Sequence, residues 1–252
     1  MDLGLNGKTV LVTGSSSGIG RATAIAFGKE GAQVAVTYHK NQKGAEETVQ
    51  QVVDAGGKAI VVHYDLANRD SIRSCVERIQ KEWDALHVFV NNAVQNEHLA
   101  PSRKAFEDEP IELWESMLRS SLEGAVYTIQ CVLPLMRKSG WGRIISVSSD
   151  AVDGWPGLGA YATAKAGLEG LTRTLKVELG PANILSNIVM PGFVYTESNQ
   201  KNVPEEYQKQ IREHTATRQL VTPDDLANVI VFLGSQANRQ IIGEVIRVTG
   251  GR

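Results

Sequence analysis

The sequence predicts a doubly wound, Rossmann-type α/β fold built on a parallel sheet, and three observations support this fold class. Short apolar runs rich in Val, Ile and Leu alternate with longer amphipathic segments along all 252 residues. The apolar runs are nearly continuous, as in strands that helices cover on both faces. No Pro/Ser-rich linker or low-complexity tract interrupts the alternation. We therefore expect a single domain over residues 1–252 with right-handed crossovers.

Seven segments have the length and composition of buried strands, and each is bounded by Gly, Asn, Asp or Ser. They are residues 9–12, 33–38, 59–63, 86–90, 143–147, 184–189 and 245–248. Six segments have the spacing of helices. They are residues 18–30, 42–55, 69–83, 111–137, 160–179 and 223–233. Residues 193–222 break the alternation because they are polar and long for a connection, which is typical of a lid or of a solvated helical excursion.

Composition argues against several classes of function. Lys and Arg number 26 against 28 Asp and Glu, for a formal net charge of −2. No basic block occurs, so neither nucleic acid nor an anionic membrane is an expected partner. Cys75 and Cys131 lie far apart in helical segments, which predicts neither a disulfide framework nor a metal site. We expect a cytoplasmic protein, since the amino terminus lacks a signal-peptide pattern and no apolar run approaches the length of a membrane span.

A glycine-rich turn with the sequence TGSSSGIG directly follows the first predicted strand, at residues 13–20. Glycines let the backbone approach a pyrophosphate closely, and the next helix offers unpaired N–H groups and roughly half a positive charge. The three serines add possible hydroxyl donors. The run also fits Gly-x-Ser-x-Gly with Ser16 as a hydrolase nucleophile, but the few residues before Gly14 leave no room for the preceding strands and oxyanion loop. A P-loop is not expected because no Lys-Ser or Lys-Thr follows.

Tyr161 and Lys165 form a second candidate site. Positions four apart share one face of a helix, so the phenol and the ammonium would point into the same space. A fixed cation favours the phenolate, and the pair therefore predicts a lowered Tyr161 pKa and a role in acid–base chemistry. A chain with six Tyr has a fair chance of containing one such pair as a surface contact, so the neighbouring motifs decide.

Together these motifs resemble those of the short-chain dehydrogenase/reductase family in its compact form, and the resemblance spans the whole chain. Residues 13–20 resemble the family's cofactor turn, residues 91–93 (Asn-Asn-Ala) the segment after its fourth strand, and residues 248–251 its last strand and glycine pair. The resemblance implies seven strands in the order 3-2-1-4-5-6-7, a substrate lid around residues 193–222, and a homotetramer or homodimer.

The resemblance also implies roles for individual residues. Tyr161 would be the general acid, and Lys165 would hold the nicotinamide ribose and lower the pKa of the phenol. Ser148 would bond the reacting oxygen because it precedes Tyr161 by the family's usual 13 residues; Ser149 is a competing hydroxyl. Ser121 stands where an Asn usually supports a water path behind the lysine. The residues implied for cofactor binding are Gly14, Ser15, Ser16, Ser17, Gly18, Ile19, Gly20, Tyr38, His39, Lys40, Asp65, Leu66, Asn92, Ala93, Tyr161, Lys165, Pro191, Gly192, Val194 and Thr196.

The end of the second strand indicates which nicotinamide cofactor binds. Family members selective for NAD usually carry an acid there, which repels a 2′-phosphate. In this chain Tyr38 takes that position and is followed by His39 and Lys40, whose positive charges suit a phosphate. The sequence therefore favours NADP(H) over NAD(H), although Ser17 occupies a place that is often basic in NADP-preferring relatives.

The expected function is reduction of a ketone to a secondary alcohol. A 3-oxoacyl thioester of fatty-acid or secondary-metabolite biosynthesis is the leading substrate, and the alternative is a secondary-alcohol or sugar dehydrogenase. The substrate is a small molecule, free or bound to an acidic carrier. Basic residues that could receive such a carrier are Arg103, Lys104, Lys201, Lys209 and Arg212.

Four positions depart from the family pattern, namely Ser121, Val94 in place of Gly, Ile242 in place of Thr, and Thr249 in place of Asp. Val94 is β-branched at a point where the backbone usually turns close to the cofactor. These departures leave open a second class of function, a cofactor-binding regulatory or scaffold protein without catalysis. The retained trio of Ser, Tyr and Lys argues against that alternative.

Overall fold

The computed structural model describes residues 2–94 and 105–252. It confirms the predicted fold: seven parallel strands form one sheet in the order β3-β2-β1-β4-β5-β6-β7. The strands are β1 (Thr9–Val12), β2 (Gln33–Tyr38), β3 (Lys58–His63), β4 (Val88–Asn91), β5 (Gly142–Val147), β6 (Ile184–Pro191) and β7 (Val245–Val248). The helices are α1 (Gly18–Lys29), α2 (Gln42–Asp54), α3 (Arg69–Trp83), α4 (Ile111–Leu118), α5 (Gly124–Ser139), α6 (Gly159–Leu179), α7 (Glu197–Asn202), α8 (Glu205–His214) and α9 (Pro223–Leu233).

The sheet is covered on both faces, which explains the continuous apolar runs of its central strands. Successive residues of a strand point to opposite faces. Val10 and Val12 accordingly pack with Phe27 of α1 on one face, whereas Leu11 between them packs with Ile79 of α3 on the other. Every residue of β1 and of β4 is buried. Two apolar layers therefore hold the sheet rigid beneath its carboxyl edge.

The helical segment predicted over residues 111–137 is confirmed, but it is not α-helical throughout. A π-helical turn, Arg119–Glu123, separates α4 from α5. The Ser120 hydroxyl donates to the Ser116 carbonyl at 2.8 Å and to the Met117 carbonyl at 3.3 Å, and such back-bonding competes with the regular ladder. Gly124 then lies so close to the Leu66 carbonyl that a Cβ there would collide with it. A helical turn of this kind often marks a functional site.

The carboxyl ends of the strands bring the candidate residues to one edge of the sheet. The strand order reverses between β1 and β4, and ligands of such sheets bind in the crevice at this switch point. The segment predicted as a lid, residues 193–222, carries α7 and α8 and is closed at its base by a parallel bridge between Val194 and Val221. In the described ranges no helix is both long and apolar enough to cross a membrane.

Candidate active site

The glycine turn leads from β1 into α1 and is held against the end of β4. Gly14 has a φ of +67°, a conformation that favours glycine. The Asn92 side chain donates to the Thr13 carbonyl at 2.9 Å and to the Gly14 carbonyl at 3.3 Å. A Cβ on Gly20 would collide with the Gly14 carbonyl oxygen. The turn is therefore a tight backbone cradle in front of the free N–H groups of α1.

The three serines of this turn differ in what their hydroxyls can reach. The Ser15 hydroxyl is fully buried, donates to the Val12 carbonyl at 2.7 Å and accepts from the Thr37 N–H at 2.8 Å. The expectation that all three serines offer free hydroxyl donors is therefore wrong for Ser15, whose side chain ties the turn to β2. Ser16 is partly exposed, and Ser17 is exposed at the start of α1, where its side chain makes no capping hydrogen bond.

The end of β2 combines aromatic rings with a contact between His39 and Asp65. Tyr38 stacks edge-on against His63, with ring centroids 5.4 Å apart, and its hydroxyl donates to Gln42 at 3.2 Å. The His39 Nε2 atom lies 3.6 Å from the Asp65 carboxylate. Tyr38 is half-buried, and His39 and Lys40 are exposed beside it. The carboxylate at this edge thus comes from the end of β3 and not from β2.

Ser148 and Ser149 lie at the end of β5, and the structure separates their roles. The Ser148 N–H continues the strand ladder to the Val189 carbonyl at 2.9 Å, and its hydroxyl donates to Glu169 of α6 at 3.3 Å. Ser148 is only 1% exposed. Ser149 is extended, at φ −160° and ψ 148°, and is partly exposed. Neighbours on an extended backbone point to opposite sides, so only one of the two can face the crevice.

The hydroxyl that interacts with the Tyr161 phenol is that of Ser149. The expectation for Ser148 rests on its spacing from Tyr161 along the chain, and the structure adds Ser149 as a second candidate beside the phenol. The spacing counts residues through an irregular loop and carries no information about the side to which each serine points. The Ser149 hydroxyl also accepts from the Ala151 N–H at 3.2 Å and caps the 3-10 turn Asp150–Asp153. The sequence signal for this role is the cap itself, a serine directly before an aspartate.

Tyr161 and Lys165 lie on one face of α6, as predicted, but their electrostatics differ from the prediction. The Lys165 Nζ donates to the Val147 carbonyl at 2.7 Å and lies 5.6 Å from the centroid of the Tyr161 ring. Burial raises the pKa of Tyr161 to about 12, an effect that the Ser149 hydroxyl opposes. Burial also lowers the pKa of Lys165 to about 8. The expected lowering of the Tyr161 pKa is therefore wrong for the protein alone, because desolvation by burial raises this pKa by more than the Ser149 hydrogen bond lowers it.

Ser121 lies inside the π-helical turn and is 4% exposed. Its hydroxyl contacts the Met117 sulfur at 3.3 Å, and Met117 packs with Ala160 and Ala164 beside Tyr161. The helix distortion that the family's Asn supports is thus present with Ser121 in its place. The structure brings Ser121 to the back of the Tyr161 cluster through Met117, which accepts the hydrogen bond of its hydroxyl.

The segment after β6 closes the other side of the crevice. Thr196 faces the glycine turn, since a Cβ on Gly18 would lie 3.6 Å from its methyl carbon. Its hydroxyl caps α7 by accepting from the Asn199 N–H at 3.2 Å. The Val194 side chain is 4% exposed and packs in the core with Val189, so any contact of this residue with a cofactor would be made by its backbone. Arg21 of α1, which the sequence did not single out, spans the crevice to Glu197 at 3.5 Å.

A glycine cradle at a helix amino terminus, next to a hydroxyl pair and a buried lysine, defines a dinucleotide-binding oxidoreductase. The cradle fits such a cofactor, because its glycines leave the backbone without side chains directly before the amino terminus of α1. Residues 2–94 and 105–252 contain no cluster of three or more His, Cys, Asp or Glu that could hold a metal ion.

Comparison with known proteins places the chain in one family. Residues 14–252 match the sequence family described as "Enoyl-(Acyl carrier protein) reductase". The 3-oxoacyl-(acyl-carrier-protein) reductase FabG of Aquifex aeolicus (strain VF5) is 36% identical over 253 residues, which cover 100% of this chain and 99% of the relative. The D-beta-hydroxybutyrate dehydrogenase of Cupriavidus necator is 34% identical, with 98% of each chain covered.

A solved structure of 7 alpha-hydroxysteroid dehydrogenase complexed with NADH and 7-oxo glycochenodeoxycholic acid has a TM-score of 0.92 and 29% identity, covering 99% of this chain and 96% of that one. The chain belongs to the short-chain dehydrogenase/reductase family. It is an oxidoreductase of the class that acts on CH–OH and C=O groups.

Proposed function

We propose that the protein reduces a ketone to a secondary alcohol with NADP(H), in the cytoplasm. The observation that carries the proposal is the placement of the Ser149 and Tyr161 hydroxyls together at the sheet edge with Lys165 buried behind them. One carbonyl oxygen can accept hydrogen bonds from both hydroxyls. Two donors aimed at one oxygen stabilise the charge that develops on it during reduction.

The chain's own groups would bind the cofactor and move the proton. When bound, the reduced nicotinamide supplies a hydride to the carbonyl carbon. The glycine turn and the amino terminus of α1 would hold the pyrophosphate. The residues Pro191, Gly192 and Thr196 would line the nicotinamide end of the crevice, and Asp65 with Leu66 the adenine end.

Tyr161 is the general acid in this proposal. Its raised pKa keeps the phenol protonated at neutral pH, so a proton is available for the substrate oxygen. The Lys165 ammonium then favours the phenolate that remains. Ser149 would donate a hydrogen bond to the same oxygen, in the role that the sequence assigned to Ser148. Ser121 would support the proton path behind Lys165 through the π-helical turn.

Residues 193–222 would form the lid of this site. Both ends of the segment are tied together by the Val194 to Val221 bridge, and the Arg21 to Glu197 contact joins α7 to α1 across the crevice. Surface ion pairs of this kind are weak, so the contact can open and close at small cost. A segment hinged in this way can cover a bound substrate and exclude water from it.

The leading substrate is a 3-oxoacyl thioester. The test is NADPH consumption with an acetoacetyl thioester, a crotonyl thioester and a panel of small ketones. Turnover of ketones without turnover of the crotonyl C=C bond supports the proposal. Binding of NADPH without turnover of any substrate would instead favour the non-catalytic alternative.

Carrier binding and self-association belong to the same proposal. Lys201 of α7 and Lys209 and Arg212 of α8 are exposed, so they are accessible to an acidic carrier. Arg103 and Lys104 lie outside the described residues.

The homodimer or homotetramer would form through α5 and α6, and Val177 of α6 is 71% exposed. Light scattering measures the assembly.

We expect the protein to use NADPH with higher kcat/KM than NADH, by about tenfold or more. The end of β2 has no acid to repel the 2′-phosphate, and His39 and Lys40 lie beside it. Tyr38→Asp should shift the ratio at least tenfold toward NADH, because it adds a negative charge at that point. Gln51→Glu adds the same charge at an exposed position near the far end of α2 and is the control. A wild-type preference for NADH would overturn the assignment.

We expect kcat/KM for carbonyl reduction to fall as the pH rises through about 8, where the buried Lys165 loses its proton. The neutral amine no longer stabilises the phenolate, so the loss appears on the alkaline side. Tyr161 keeps its proton there because its pKa is about 12. A pH profile with NADPH and one ketone measures the fall. In Lys165→Arg the guanidinium stays charged, so whatever activity remains should lack this fall; a wild-type rate that climbs through pH 8 contradicts the assignment.

A further inference from the structure

Asp150 places a carboxylate at the reacting end of the crevice. It directly follows Ser149 and begins the 3-10 turn Asp150–Asp153. A Cβ on Gly192 would lie 3.3 Å from the Asp150 Oδ2 atom, so this oxygen rests against the backbone of Gly192. Ser149 is the partner of the Tyr161 phenol, and Gly192 follows β6 on the other side of the crevice. The carboxylate therefore lies between two walls of the site.

The carboxylate has no close partner of opposite charge. Across residues 2–94 and 105–252, no Lys or Arg nitrogen lies within 4.0 Å of it. The nearby Asp153 and Arg247 are paired with each other through two bonds of 2.7 and 2.8 Å. Arg252 attracts Asp150 from a distance, but its guanidinium lies over the Trp155 ring, 4.4 Å from the centroid. The carboxylate is thus left to interact with what enters the crevice.

The charge of Asp150 interacts electrostatically with the groups around it, including Tyr161. Burial raises the pKa of Asp150, with Asp153 acting in the same direction and with Arg252 and Arg247 opposing it. The Asp150 charge in turn contributes to the raised pKa of Tyr161. The Asp150 carboxylate accepts a hydrogen bond from its own backbone N–H. Its remaining lone pairs can accept a hydrogen bond from a ligand, which stabilises a half-buried carboxylate.

We propose that Asp150 is a specificity residue that selects ketones carrying a hydrogen-bond donor, a hydroxyl or an ammonium group, on the carbon next to the carbonyl. The inference rests on the proposed function, since it names the substrate class of the same site. The donor group would bond Asp150 while the carbonyl oxygen meets Ser149 and Tyr161. A substrate that carries a carboxylate in place of this donor group would be repelled by the negative charge of Asp150. Within the proposed ketone reduction, this selectivity ranks hydroxylated substrates, such as those of the alternative sugar dehydrogenase, above the 3-oxoacyl thioester that leads by resemblance.

Four methyl ketones of nearly equal size test the inference, namely butanone, hydroxyacetone, aminoacetone and pyruvate. With the wild type and NADPH, we expect kcat/KM for the two donor-bearing ketones to exceed that for butanone by about tenfold, and pyruvate to fall below it. In Asp150→Asn, the aminoacetone-to-butanone ratio should fall by about tenfold and the pyruvate-to-butanone ratio should rise. The hydroxyacetone ratio should change least, because an amide oxygen still accepts from a hydroxyl.

Asp153→Asn is the matched control, because that carboxylate is exposed and paired with Arg247. Its substrate ratios should stay at the wild-type values. Asp150→Ser serves as a second neutral variant in case Asp150→Asn does not fold. The ratios should change mainly through KM, whereas a proton-relay or purely structural role would lower kcat for all four ketones alike.

Calorimetry of the four ketones binding to the NADPH-loaded protein gives the same ratios without turnover. If no ketone is turned over but the binding ratios change as expected in the neutral Asp150 variants, the proposed function is refuted and the inference about Asp150 stands. Unchanged ratios in both neutral Asp150 variants, by turnover and by binding, overturn the inference.

Discussion

Tyr161→Phe should lower kcat/KM for carbonyl reduction by about a thousandfold or more. The variant keeps the ring, its packing against Met117 and Ala164, and its position over Lys165. It removes the proton that the substrate oxygen requires and one of the two hydroxyls that bond this oxygen. The expected loss therefore lies in the chemical step, whereas binding of NADPH should stay near the wild-type affinity. Stopped-flow turnover and calorimetric NADPH titration measure the two quantities.

Tyr127→Phe provides the matched control for this experiment. It removes a phenol from α5 that bonds Arg73 at 3.0 Å, on a surface away from the crevice. Its turnover should stay within about twofold of the wild type. Near-normal turnover in Tyr161→Phe would refute the assignment of the general acid. Parallel losses in both variants would point to a general effect on folding.

The second large effect separates the two neighbouring serines. Ser149→Ala should lower kcat by about a hundredfold, because it removes a donor aimed at the developing oxyanion. Ser148→Ala should leave kcat/KM within about tenfold of the wild type, since the Ser148 hydroxyl bonds Glu169 on the far side of the strand. It should instead lower the free energy of unfolding by about 1 kcal/mol, because a partly buried carboxylate loses a hydrogen bond.

The two variants control for each other, since each deletes one hydroxyl from adjacent positions of the same strand end. Turnover and urea unfolding, measured on both proteins, give a two-by-two comparison. If Ser148→Ala loses activity while Ser149→Ala keeps it, the spacing rule from the sequence is right and the assignment to Ser149 is wrong.

Much of the fold could be predicted because it depends on local patterns. Local patterns predicted all seven strands, most of them with bounds that agree within a residue or two, whereas the strand order was implied by the family resemblance. The π-helical turn at residues 119–123 was not expected. The apolar spacing continues through it, whereas the turn is accompanied by Ser120 back-bonding and by the close approach of Gly124 to the Leu66 carbonyl. The second of these contacts joins segments far apart in the sequence.

The candidate site also combines features that the local sequence predicts with features that depend on contacts between distant segments. The sequence by itself determined that Tyr161 and Lys165 share a face and that a glycine turn precedes α1, because helical periodicity and the position of a motif after a strand are local properties. Only the tertiary structure decided that Ser149 meets the phenol, that the Ser15 hydroxyl is used internally and that Asp150 lies against Gly192. It also decided the direction of the Tyr161 pKa. Burial and the side to which a side chain points arise from packing between distant segments, and no spacing along the chain encodes them.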